Sequence, residues 1–239
     1  MPALAAIFGL VTAIVPTLSS SCSTWFETTR HGTAFRNVKD FGAQGDGISD
    51  DTRAIQAAID HNRYATEDGG GAPLPAIVYL PPGRYMVSDT LVCWFYTNLV
   101  GSSSTEPGCG STIELMPNAT GFSQQQGSAP LIKPVIVFAS GFNTKIGAHA
   151  WWSGPKSKRG PWCLNNSVSD RCGDSFNMNF YAHIRLVNIV IGKGNPSASA
   201  LMWNVAQQTS IRNVSIDLSQ SGAVGLDVSG DNDVAAYRR

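Results

Sequence analysis

Apolar and polar residues alternate along this chain in short bursts, and the rhythm is mostly that of strands. Runs such as AIVYLPPGRYMV from Ala76, STIEL from Ser111 and PVIVFA from Pro134 are divided by Gly, Pro, Ser and Asn. Period-two alternation of this kind turns one face of each run inward. A single stretch has clear helical spacing. SDDTRAIQAAIDH, from Ser49 to His61, opens on cap-type residues and places Ile55, Ala58 and Ile59 on one face.

The second half carries a repeat. IRLVNIVI at 184–191 matches IRNVSIDL at 211–218, a spacing of 27, and ALMWNV at 200–205 matches AVGLDV at 223–228, a spacing of 23. The second match pairs Asn204 with Asp227, each just before a final Val. Interleaved repeats of this length signal a solenoid of short strands, in which Ile stacks on Ile about 4.8 Å away. The expected fold is all-β: a right-handed parallel β-helix with an N-terminal capping helix. Its handedness follows from the general preference of parallel crossovers. An ordinary antiparallel sandwich with coincidental matches is the competing reading.

The segment FRNVKDFGAQGDGISDDT, Phe35 to Thr52, concentrates glycine and aspartate. A calcium loop needs an acid about twelve residues after its first ligand, and counting from Asp46 reaches Ala57. A phosphate loop needs G-K-[ST] before its helix, whereas this helix opens with SDDT. The segment reads instead as a strand, a tight glycine turn through Gly42, Gly45 and Gly47, and a helix. Asp50 and Asp51 would accept N–H bonds at its N-terminus.

Composition narrows the class. Charged residues are 14% of the 239, and 17 basic balance 17 acidic. Net charge therefore gives no argument for nucleic acid or an anionic membrane as partner. The apolar stretch Ala3–Val15, followed by Pro16 and small residues, has the length and order of a signal-peptide core, too short to span a bilayer. The expected division is 1–21 signal peptide, 22–62 N-terminal segment and capping helix, 63–239 parallel β-helix, in a secreted, extracellular protein.

Five cysteines suit an oxidising compartment. Cys163 and Cys172 bracket a polar loop and are expected to pair; Cys93 and Cys109 are the second expected disulfide. Glycosylation sequons stand at Asn118, Asn165 and Asn213. There is no C-x-x-C or H-E-x-x-H, and the four histidines, 31, 61, 149 and 183, form no metal spacing. No metal or cofactor is expected.

The residues also carry a resemblance. FRNVKDFGAQGDGISDDTRAIQAAID followed by VYLPPGRYMVSDTL is similar to the N-terminal signature of the pectate-lyase-like β-helix superfamily. WFETTRHGTAFRNVKDFG, NFYAHIRLVNIVIGKGNP and MWNVAQQTSIRNVSIDL narrow it, resembling secreted fungal β-1,3-glucanases of glycoside hydrolase family 55. The resemblance runs from about Trp25 to Asp233. It implies two tandem β-helices with the active site between them, and exo-acting, inverting removal of glucose from β-1,3-glucan. The general acid would be a glutamate of the second half. The expectation is therefore a truncated β-helix that lacks its C-terminal part and is inactive alone.

By motif, the resemblance places Gln207 of WNVAQ, and more loosely Ser229 of DVSG, at positions that hold the attacking water. The spacing of 23 would set Ser229 over Ala206, beside Gln207. Such groups orient water but are poor bases, and a polar strand-end ladder explains them equally well. Trp151 and Trp152 lie in the longest insertion. They either stack on sugar faces or pack down on the coil wall. Trp203, within the repeat, reads as a wall residue.

Inverting hydrolysis needs two separated carboxyls, yet Glu27, Glu67, Glu106 and Glu114 show no such pairing. Glu114 reads as an outward, solvated strand residue. The expected partner is a polysaccharide, with β-1,3-glucan favoured, bound by a monomer with no nucleic acid or membrane contact. A non-catalytic carbohydrate-binding module and a pectin-active lyase or hydrolase are the alternatives.

Overall fold

The computed structural model describes residues 34–62, 74–94, 96–102, 108–123, 132–138, 179–203 and 205–228. The alternating runs become fourteen short strands. In chain order they are β1 (Phe35–Asn37), β2 (Asp46–Asp50), β3 (Ala76–Tyr79), β4 (Gly83–Val87), β5 (Leu91–Cys93), β6 (Thr97–Val100) and β7 (Ser111–Leu115). Then follow β8 (Lys133–Phe138), β9 (His183–Arg185), β10 (Val187–Ile191), β11 (Ala198–Trp203), β12 (Ser210–Arg212), β13 (Ser215–Asp217) and β14 (Val224–Asp227). The helix α1 (Thr52–Asp60) and a 3-10 turn (Val38–Phe41) complete the first half.

Three sheets result, ordered β1-β3-β6-β9-β12, β2-β4-β7-β10-β13 and β5-β8-β11-β14. Every pairing is parallel. The chain visits first, second and third sheet in the same cycle, coil after coil. In the first coil α1 takes the place of a third-sheet strand.

Like residues stack on like. Val78, Leu99, Ile184 and Ile211 form one inner row, and Tyr85, Ile113, Ile189 and Ile216 another. Ile113, Ile184 and Ile189 are wholly buried, and truncating one such side chain to Ala typically costs about 2–5 kcal/mol. The repeat spacing of 27 is the true register, with Ile184 on Ile211 and Ile189 on Ile216. The spacing of 23 is not. Leu201 pairs with Leu226 and Met202 with Asp227, which is 25. A slip of two residues keeps every side chain on its own face, so alternation cannot tell the two registers apart.

Buried polar groups join the coils. Asn195, wholly buried, accepts from Ala119 N at 2.9 Å through Oδ1 and donates to Met116 O at 2.9 Å and Gly192 O at 2.8 Å. At Gly101 any Cβ would lie 2.0 Å from the Leu186 carbonyl of the next coil, so only glycine fits.

The helix buries Ile55, Ala58 and Ile59, as its spacing predicts. Its Gln56 amide also acts on β5. Nε2 donates to Val92 O at 3.1 Å and Oε1 accepts from Val92 N at 2.9 Å. One side-chain amide thus satisfies the edge strand as a neighbouring backbone would. Arg36, buried in β1, donates to Ala58 O and Ile59 O at 3.3 and 3.2 Å, serving the helix C-terminus.

The aspartates divide their work differently from the expectation. Asp50 does accept from Thr52 N, at 3.0 Å. Asp51 makes no cap bond; it turns back to hold the glycine turn, accepting from Gln44 N at 2.6 Å and Gly45 N at 2.9 Å. The segment also contains one more strand than predicted, β2, hidden because DGISD has little apolar signal.

Candidate functional site

The β11–β12 turn brings Gln207 to the surface, where it is exposed. Beside it Gln208 adopts φ 59°, and the residues at the same place in the two preceding coils, Tyr181 and Tyr96, adopt 55° and 63°. The three lie two residues before Asn98, His183 and Ser210, which are in register. A left-handed conformation costs a non-glycine residue about 1–2 kcal/mol. Ring stacking offsets part of that: Tyr96 and Tyr181 lie 4.8 Å apart, inclined by 16°. Tyr181 keeps 44% of its surface exposed.

The first sheet continues outward from this corner. His183 and Ser210 are linked, Nδ1 to Oγ, at 2.9 Å. Arg185 and Arg212 follow one step along the strands, both exposed. Burial, and then the charges of Arg185 and Arg212, hold His183 below its usual value, so its ring is neutral near neutral pH. Among the described residues no carboxylate bonds the far side of the imidazole. Among the described residues the Ser–His pair therefore has no orienting third group of the kind a nucleophilic site uses. At the end of the third sheet Trp203 packs on Phe138, centroids 4.6 Å apart, a wall residue as expected.

The other sequence candidates fall as follows. Ser229, Trp151, Trp152, Cys163, Cys172 and Asn165 lie outside the described residues, as do 1–33, Glu27, Glu67 and Glu106. The corrected register removes the spacing argument that set Ser229 beside Gln207. Asn118 and Asn213 are exposed at positive φ, 55° and 51°.

The expected Cys93–Cys109 disulfide does not form. Cys93 is a buried thiol on β5, whereas Cys109, disulfide-bonded, stands in the turn before β7 of another sheet. Glu114 is not solvated either; it is 4% exposed, and Arg84 takes up its carboxylate. No cluster of His, Cys, Asp or Glu suited to a metal occurs among the described residues.

The repeat of 27 stacks Arg185 on Arg212, while His183 taken alone looks like an isolated histidine. Extending the spacing of 27 by one residue reaches Ser210, and by two residues more reaches the Tyr181–Gln208 corner. The spacing thus pairs these residues, though it does not give their backbone conformation.

Comparison with known proteins adds the following. Residues 35–150 match the family model described as rhamnogalacturonase A/epimerase, pectate lyase-like. A probable glucan endo-1,3-beta-glucosidase of Arthroderma benhamiae is 32% identical over 190 residues, 79% of this chain and 17% of the relative. A protein of Penicillium expansum named non-secreted LysM effector LysM15 is 28% identical over 87% of this chain and 13% of its own length. Mannuronan C5-epimerase AlgE6 of Azotobacter vinelandii is 64% identical over 52 residues, 22% of this chain and 5% of the epimerase. The chain thus spans less than a fifth of each of these relatives. The match over residues 35–150 makes that part of the chain similar to pectate-lyase-like domains, and its stacked parallel strands agree with the likeness.

Proposed function

We propose that this chain is the N-terminal, right-handed β-helical part of a secreted polysaccharide-degrading glycoside hydrolase acting on β-1,3-glucan. The observation that carries this reading is the 32% identity, across 79% of the chain, to a probable glucan endo-1,3-beta-glucosidase. The right hand is supported by the near-universal sense of parallel crossovers, and secretion by the apolar stretch Ala3–Val15. In a longer protein of which this chain is part the reaction is exo and inverting, a reading that rests on the resemblance of the motifs around residues 25–42, 179–196 and 202–218 to glycoside hydrolase family 55 and differs from the endo in that relative's name. Asn118 and Asn213 carry glycans, and the chain is a monomer.

Gln207 positions a water or a sugar hydroxyl at the third-to-first sheet corner. Its amide neither donates a proton to a leaving group nor takes one from water at useful rates. The purified 239-residue chain, incubated with laminarin, is therefore expected to release no glucose above the buffer control. Release of glucose would contradict this and demand a local acid. A second reading, carbohydrate binding without turnover in any form of the protein, is favoured by the uncharged character of Gln207, Gln208, Tyr181 and Tyr96.

A further inference from the structure

The tyrosine column at the third-to-first sheet corner costs the fold more than it gives back. Tyr96 and Tyr181 both hold left-handed backbone, φ 63° and 55°, a genuine outlier for a bulky side chain. Glycine would take the same turn freely. The ring stacking, 4.8 Å apart and inclined by 16°, is an interaction no larger than that backbone cost. Strain held at one corner through three successive coils is the kind that functional sites store.

The column also stops short of a third ring. In the next coil Gln208 takes the place of a tyrosine, at φ 59°, and its side chain is exposed beside that of Gln207. Tyr96 and Phe180, the rings that Tyr181 contacts, are half-buried, whereas Tyr181 itself keeps 44% of its surface open. One face of Tyr181 lies on Tyr96, so its open surface is the opposite face and the ring edge. That surface adjoins the step of the coil that carries the two amides.

We propose that Tyr181 is a stacking platform for one neutral, gluco-configured pyranose ring, and that it selects this configuration at the corner. The inference rests on the glucan reading above and deepens it by naming the ring and its seat. In β-glucopyranose every hydroxyl is equatorial, so both faces present C–H groups, which suit an aromatic face. An axial hydroxyl, as at C2 of mannose, sets an oxygen against the aromatic ring without a partner. The amides of Gln207 and Gln208 both donate and accept, as equatorial hydroxyls at the rim require. No bond is made or broken on Tyr181; it binds and orients.

The test is electrophoresis of the full chain through native gels holding laminarin, a soluble β-1,4-glucan or a β-1,4-mannan, with thermal unfolding alongside. Laminarin is expected to retard wild type more than the mannan does. Tyr181→Gly is expected to weaken the laminarin effect about tenfold and to leave Tm within a few degrees of wild type, because glycine relieves the backbone as it removes the stack. Tyr181→Phe keeps the ring and is expected to restore binding to within about twofold.

A Tyr181→Gly chain that is retarded like wild type overturns the proposal and leaves the glucan reading standing. A large fall in Tm in that variant also overturns it, since the ring would then serve the fold. Equal retardation by mannan and laminarin overturns the selection of configuration. Retardation by the β-1,4-glucan alone, lost in Tyr181→Gly, supports the platform and removes the β-1,3-glucan reading. Wild type that no gel retards overturns both.

Discussion

Asp50 sits where the first coil turns into its helix. Burial pushes its carboxyl upward, but the Ser88 and Thr52 hydroxyls, with the Thr52 and Ser88 backbone N–H groups, outweigh that and hold it below its ordinary value. The Ser88 hydroxyl donates to Oδ2 at 2.6 Å. A carboxyl depressed in the folded state stabilises the fold above its unfolded pKa, and that contribution fades as pH falls through the folded value. In urea titrations, the stability gap between wild type and Asp50→Asn should therefore be present at neutral pH and shrink as pH falls below the ordinary aspartate value. A gap that stays constant would contradict the arrangement. Asp46 and Asp217, also lowered, by hydrogen bonds from Ser49 and Ser219 respectively, act in the same direction.

Among the elements, α1 has the most specific task, because it closes the first coil's side of β5 with a side chain. Gln56→Ala removes both bonds to Val92 and leaves a buried N–H and C=O unmet, at a cost of about 1–3 kcal/mol each. Hydrogen exchange at the Val92 amide should accelerate far more than at Ile189, which lies two coils away. Equal acceleration at both sites would mean global destabilisation and no local cap.

How much of this was legible depended on the kind of signal. Stacked isoleucines repeat visibly, so Ile184 over Ile211 could be read directly from spacing. The third sheet pairs Leu201 with Leu226, yet a two-residue slip satisfies the same alternation, and the likeness of WNV to LDV favoured the wrong register. Glu114 looked solvated because a strand pattern gives the direction of a side chain but not what covers it. Asp51 looked like a cap because local sequence does not reveal a bond made backward to Gln44 and Gly45. The corner of Tyr96, Tyr181 and Gln208 depends on a rare backbone conformation, which residue type signals only for glycine and asparagine.

At the scale of the molecule, parallel stacking turns single residues into rows, and the three sheets use their rows differently. In the third sheet every residue of β5 and β8 is buried, and so is β11 apart from half-buried Trp203. The first sheet keeps an exposed outer face. At the corner between them Gln207 is solvent-accessible, so a sugar chain can approach without rearrangement of the coils. The most direct measurement is electrophoresis of the purified chain through a native gel containing laminarin, beside a gel without it. Laminarin is expected to retard wild type, and Gln207→Ala to weaken the effect about tenfold. Equal mobility of wild type in both gels would mean that this coil does not engage β-1,3-glucan.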